Sequence, residues 1–294
     1  QTALMIDKID KYLKINKKIN NVIVYGDTNS ALAGAIASSK YKNIILTHVE
    51  AGLRSFDKNM PEEISRRLID HCSDLLFCPT KYSKKYLLNE GVKSKKIFIV
   101  GNTIVDAIKS PLINNQLKNS KSPYNYKYLL LTIHREENTI NQVNIKKIFK
   151  ALYKINKKFG IKVIFPVHPK TRKIINFLKY DKKKINIVHP VDYLTFLKLL
   201  KHATLVISDS GGVQEEACIL KTPLITVRNS TERPETLEIG CNILTNLKKN
   251  LIFQNSSKIL KKKIHWRNPY GNGKAAVKIV KIIKKTKLKN VKSY

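Results

Sequence analysis

The chain has 294 residues, 43% of them hydrophobic, enough for one large or two medium globular domains. Its 56 basic and 21 acidic residues give a formal charge of +35, which alone points to nucleic acid or an anionic surface as partner. The bases divide into 48 Lys and only 8 Arg, with no aromatic residues interleaved with Arg; that argues against a specific nucleic-acid binder, and the lack of any apolar run of spanning length argues against membrane insertion.

In chain order, short β-branched runs predict strands at 21–26 (NVIVYG), 43–49, 75–80, 96–101, 128–134 (YLLLTIH), 162–168 (KVIFPVH), 185–190, 203–210 (ATLVISDS) and 223–228. Amphipathic, Lys-faced stretches between them predict helices at 29–40, 62–73, 80–90, 141–159, 171–179, 192–202 and 212–221. This alternation is an α/β pattern with parallel sheets covered by helices on both faces. The polar stretch 109–127, with two prolines and no periodicity, is the linker candidate. The tail from Gly273 to Tyr294 reads as a basic, solvated helix. Cys72, Cys78, Cys218 and Cys241 form neither a CxxC pair nor a dense framework, so they are expected to be reduced core thiols of a cytoplasmic protein. The first residue is Gln, and the sequence is expected to be a piece of a longer chain.

Six short stretches carry the candidate chemistry: GDT (26–28), HVEAGLR (48–54), PEEISRR (61–67), HREEN (134–138), DSGGVQEE (209–216) and TERPE (231–235). They span 35 residues, with 11 of the 21 acids, 5 of the 8 arginines and none of the 48 lysines. Arg presents a planar fork to carboxylate and phosphate that Lys cannot imitate. The contrast predicts a site whose acids and arginines face a ligand.

DSGGVQEE follows an apolar strand and opens a helix, so Ser210, Gly211 and Gly212 would offer free backbone N–H groups to a phosphate. Glu215 or Glu216, one turn on, could accept from ribose hydroxyls. The plain alternative is an ordinary strand-to-helix turn. His134 and His168 each end a strand, where a His can serve as an acid or a phosphate donor, and Arg135 follows the first. Asp27 and Glu50 follow the first two strands, and Glu62 opens a helix after Pro61. Strand ends of a parallel sheet converge on one crevice, although Asp27 as a helix cap, Glu50 paired with Arg54, and Glu62 paired with Arg66 explain each residue separately.

Together, VYGDTNSALAGAIAS, HVEAGLRSFDKNMPEEISRR, GNTIVDAI, TIHREEN, FPVHPKTRK, SDSGGVQEEACILKTPLITVR, TERPETLEIGCNIL and NPYGNGKAA resemble the non-hydrolysing UDP-N-acetylglucosamine 2-epimerases. The resemblance implies a GT-B-like α/β fold, with two Rossmann-like parallel-sheet domains facing a cleft. The expected boundaries are 1–110 for the first domain, 111–127 for a linker, 128–272 for a nucleotide-binding domain, and 273–294 for a helix returning to the first domain. The family's opening strand, which ends in GTRPE, has no counterpart here, so the first domain is expected to be N-terminally truncated, with apolar surface and strand edges left open. Ser65 also stands where the family usually has Asn.

The implied activity interconverts UDP-GlcNAc and UDP-ManNAc through a 2-acetamidoglucal, with no metal and no cofactor, in a homodimer that supplies surface polysaccharide precursors. By motif match the catalytic candidates are Asp27, Glu50, Glu62 and His134. Arg66, Arg135, His168, Ser210, Gly211, Gly212 and Glu216 are the candidates for binding the UDP-sugar. Four other readings stay open: an epimerase of a UDP-diacetamido sugar, a GT-B glycosyltransferase, an inactive UDP-sugar-binding remnant, and a polyanion binder driven by charge.

Overall fold

The apolar runs build two parallel sheets in the computed structural model, which describes residues 1–139, 142–167, 169–175, 180–248, 250–262 and 264–286. The chain divides into one unit of residues 1–107 with 269–294 and a second of residues 108–268.

In the first unit, β1 (Asn21–Tyr25), β2 (Ile45–Val49), β3 (Leu75–Cys78) and β4 (Ile97–Ile99) lie side by side in chain order, all parallel. Every residue of β2 and β3 is buried, as expected of central strands covered on both faces. On the edge strand β1, Val24 packs against the helix Asn29–Ser39, whereas Ile23 and Tyr25 are 55% and 52% exposed on the opposite face. The helix Ala275–Lys285 places Ile279 in a core with Ile45, Val49, Leu75, Phe77 and Val100. Its first turn is tied down by Asp106, whose carboxylate accepts from Ala275 N at 3.1 Å and Ala276 N at 2.9 Å. The preceding loop approaches Gly101 so closely that a Cβ there would lie 2.8 Å from the carbonyl oxygen of Tyr270. Gly101 also has φ +95°, so this position requires glycine twice over.

The second unit holds β5 (Tyr128–Thr132), β6 (Lys162–Pro166), β7 (Ile185–Val188), β8 (Leu205–Ser208), β9 (Leu224–Val227) and β10 (Asn242–Thr245). Their order is β10-β9-β8-β5-β6-β7, all parallel. The direction of winding reverses between β5 and β8, which makes their carboxyl ends the topological switch point where doubly wound sheets bind ligands. The helix Gln142–Phe159 buries Ile145, Ile148, Phe149, Leu152 and Ile155 against this sheet.

Several details depart from the sequence reading: the helices Thr2–Ile15 and Leu251–Leu260 fall outside the predicted set, and the tail read as a solvated helix instead buries Ile279. The stretch taken for a linker contains the helix Pro111–Lys118, which belongs to the second unit and buries Leu117; Pro111 occupies the first helical position, where its missing N–H costs nothing. The short strand β10 was not anticipated, since NILT opens on Asn and has no long β-branched run. His168 lies outside the described residues.

Candidate active site

Asp27 and Glu50 follow two paired parallel strands, so the register that sets Tyr25 opposite Val49 brings both to one end of the first sheet. Gly26 turns there with φ +68°, and a Cβ on it would lie 3.3 Å from Glu50 Oε2. Glu50 itself has φ +73°, a left-handed conformation that a non-glycine residue adopts only when its surroundings fix it.

Arg66 reaches across from the helix Pro61–Cys72 to Asp27 Oδ2, with Nε at 3.0 Å and NH2 at 2.9 Å. Its NH1 pairs with Glu63 Oε2 at 2.7 Å. Glu63 also accepts from Ser55 N at 2.8 Å and from Arg67 Nε at 3.2 Å. Burial would raise the Glu63 carboxyl, but Ser55 and Arg66 outweigh it and hold the group below its ordinary range. The partner of Arg66 within the helix is therefore Glu63, three residues earlier, and not Glu62. Glu62 is half-buried in the same first turn. The plain alternatives for the other two acids also fail: Thr28 caps the helix after β1, and Arg54 pairs with Asp70 and Glu90.

Sequence reasoning missed the cluster beneath these groups. Arg54 is fully buried, with NH1 2.7 Å from Asp70 Oδ2 and NH2 2.6 Å from Glu90 Oε2. Asp70 also takes the N–H of Gly52 and faces His48. Burial pushes its carboxyl up, yet His48 and Arg54 bring it below the ordinary range. The acid- and Arg-rich stretch 48–67 thus serves largely an internal ion network: His48, Arg54, Glu63 and Arg66 point into protein, contrary to the expectation that its charges face a ligand.

At the switch point of the second sheet, Asp209 is the organising group. Its carboxylate accepts from the backbone N–H of His134 and Arg135 at 3.2 and 3.1 Å, and from Asn138 Nδ2 at 3.0 Å. His134 Nδ1 lies 3.2 Å from Oδ1 of Asp209, with the His134 side chain 55% exposed. Burial works to raise the Asp209 carboxyl, but the bonds from His134, Asn138 and Arg135 hold it low. Arg135 Nε donates to the Asp209 carbonyl at 3.1 Å. Asp209 therefore gathers His134 and Arg135 beside the helix Gly211–Leu220, which Ser210 caps through Val213 N. Among the described residues, a Cβ on Gly212 would meet no heavy atom within 4 Å, whereas one on Gly211 would lie 2.9 Å from Glu232 Oε1. Gly212 is thus uncrowded by described residues in the first turn of this helix, whose N-terminal end carries the backbone N–H groups and dipole that favour an anionic group. Burial, with the Glu215 charge adding to it and the Tyr193 bond opposing it, pushes the Glu216 carboxyl up to about 7. The first unit thus gathers Asp27 and Glu50 at one end of its sheet, and the second gathers His134, Arg135 and Asp209 at a helix start.

A family model described as UDP-N-acetylglucosamine 2-epimerase matches residues 1–284. The UDP-N-acetylglucosamine 2-epimerase of Methanocaldococcus jannaschii is 49% identical over 294 residues, 96% of this chain and 80% of that protein. A UDP-2,3-diacetamido-2,3-dideoxy-D-glucuronate 2-epimerase of Pseudomonas aeruginosa is 39% identical over 291 residues, 97% of this chain and 80% of that one. The crystal structure of the M. jannaschii enzyme in complex with UDP-GlcNAc and UDP matches with a TM-score of 0.85 at 46% identity, covering 97% of this chain and 81% of that one. The two parallel-sheet domains are those of the GT-B-like epimerases, and with both sequence and fold matched along nearly its whole length, the chain belongs to the UDP-N-acetylglucosamine 2-epimerase family.

Proposed function

We propose that the chain interconverts UDP-GlcNAc and UDP-ManNAc. The C2 proton of the sugar is weakly acidic, so its removal must accompany departure of UDP. A carboxylate takes the C2 proton while the C1–O bond breaks, giving 2-acetamidoglucal and UDP. UDP then re-adds at C1, and a proton is delivered to the opposite face of C2. Asp27, Glu50 and Glu62 are the candidate proton carriers, with Arg66 holding Asp27 in place. His134, Arg135 and the Ser210–Gly212 turn would stabilise the charge growing on the leaving diphosphate, and Glu216 would accept from the ribose. His168 keeps a phosphate-side role in this reading. The elimination and re-addition is redox-neutral and calls on no cofactor.

The observation that carries this reading is membership of this family by a chain whose first unit sets carboxylates at the ends of β1 and β2 and whose second unit, taken by itself, sets His134 and Arg135 beside a helix start at its switch point. We further infer a cytoplasmic homodimer that supplies a ManNAc-derived sugar for surface polysaccharide; among the described residues no helix is long and apolar enough to cross a membrane.

Proton NMR of UDP-GlcNAc incubated with the chain in D₂O tests the reaction. Deuterium at C2 and a growing manno-configured product are expected. Folded protein that binds UDP without exchange would overturn catalysis in favour of a binding role. Faster turnover of a UDP-2,3-diacetamido sugar in parallel would reassign the substrate.

A further inference from the structure

His48 lies on β2, fully buried, and the proposed reaction makes no use of it. Its Nδ1 is 2.7 Å from Asp70 Oδ1 and its Nε2 is 3.0 Å from the carbonyl oxygen of Gly26. Neither partner offers a proton. A backbone carbonyl only accepts, and the Asp70 carboxylate is already paired with the buried Arg54 guanidinium and accepts from the Gly52 N–H. A neutral imidazole would aim a lone pair at one of these oxygens, where no water can intervene.

The charges lead to the same answer. Asp70 and Glu90 contribute two negative charges, and Arg54, the fully buried cation between them, contributes one positive charge. Arg67 and His71 approach Glu90 only from the solvent side, being 43% and 51% exposed. Among the described residues, His48 is the titratable group of β2 that faces Asp70, placed to balance the second charge within the buried cluster.

The carbonyl that His48 holds belongs to the turn residue between β1 and Asp27. The N–H of Gly26 is bonded to Val49 O at 3.1 Å, and Glu50 Oε2 lies 3.3 Å from where a Cβ on Gly26 would stand. The Gly26 peptide groups are thus gripped from both sides. We propose that His48 carries a proton on both ring nitrogens and acts as a positioning residue: anchored by Asp70, it pins the Gly26 carbonyl and so sets the turn that presents Asp27 beside Glu50. The consequence for turnover rests on the proton-transfer reading above; the state of the ring does not.

Two measurements test this on the full chain. In the first, ¹⁵N-histidine-labelled protein is observed by NMR at neutral pH, with the His48 signals assigned by replacing the other six histidines with Gln one at a time. Two slowly exchanging ring N–H protons on His48 are expected; a bare ring nitrogen would overturn the assignment of both protons. In the second, His48→Gln should slow C2 deuterium incorporation about 100-fold, the scale of a small misplacement of a reacting group, with UDP affinity within about twofold of the parent. Should that variant not fold, Asp70→Asn, which keeps the shape and removes the anchoring charge, is read the same way. A folded variant with parental turnover would overturn the positioning role. Absence of exchange in the parent chain would instead count against the epimerase reading, and the ring measurement would still decide the protonation of His48.

Discussion

Replacing Arg54 with Met keeps the space filled while removing a cation from a place water does not reach. The Arg54 side chain is 0% exposed, with Nε and NH2 on the two oxygens of Glu90 at 2.8 and 2.6 Å and NH1 on Asp70 at 2.7 Å. At an effective dielectric of about 20, unit charges ~4 Å apart attract by ~4 kcal/mol. The two carboxylates therefore hold the guanidinium by ~8 kcal/mol, against a desolvation cost of several kcal/mol. Breaking such a buried pair from one side typically costs ~3–5 kcal/mol. The loss should fall mainly on Asp70, which is wholly buried, because Glu90 keeps Arg67 and some solvent. The expected outcome is a melting transition of the first domain lowered by about 10 °C, followed by circular dichroism. Amide exchange should quicken in β2 and β3 and stay unchanged in β5 and β8. Added salt should not mimic the effect in the parent, since buried pairs are poorly screened. A shift below about 3 °C, or one appearing first in the second domain, would refute the account.

Gly212→Ala should fold normally, as its Cβ would enter open space, yet lower UDP affinity about tenfold by crowding the N–H groups at the helix start; calorimetric titration reads both arms. If Glu216 holds the ribose as proposed, UDP binding should strengthen as pH rises through about 7, because the buried carboxyl, pushed up to about 7, is the stronger acceptor once ionised; Glu216→Gln should remove that component and leave only the dependence due to UDP itself. Asp106→Ala removes the carboxylate that accepts from Ala275 and Ala276; it should cost about 1–2 kcal/mol and speed amide exchange in the helix Ala275–Lys285, with none of that change in the second domain.

The strands were legible because parallel sheets buried on both faces demand unbroken β-branched runs, and YLLLTIH or ATLVISDS admits few other readings. Asp27, Glu50, His134 and Ser210 could be proposed from position alone, as polar residues immediately beyond such runs. The helix Pro111–Lys118 was hidden because its support comes from packing in the second unit, which no local pattern records. The His48–Asp70–Arg54–Glu90 cluster was hidden for a related reason: its members lie up to 42 positions apart along the sequence, and only the sheet brings them together. The scarcity of lysine around Arg54 and Arg66 was a true signal read too narrowly. Arginine's fork is as necessary for an internal carboxylate as for a ligand's phosphate, and composition does not tell the two apart. Asp209 was visible within DSGG, but its use as an acceptor for the backbone of residues 134 and 135 depends on β5 and β8 being neighbours.

The first domain is discontinuous: residues 1–107 are completed by residues 269–294, and Ile279 closes the core that Ile45, Leu75 and Phe77 begin. On a ribosome the larger part of that domain, residues 1–107, emerges before and then waits while Ile108–Asn268 is made, roughly 10–30 s at about 5–20 residues per second. The second domain, continuous in sequence, can finish folding during that interval. The order of synthesis is thus the reverse of the order of completion, and the nascent first sheet, with the site of Ile279 still empty, is the stage at which chaperones would find this chain.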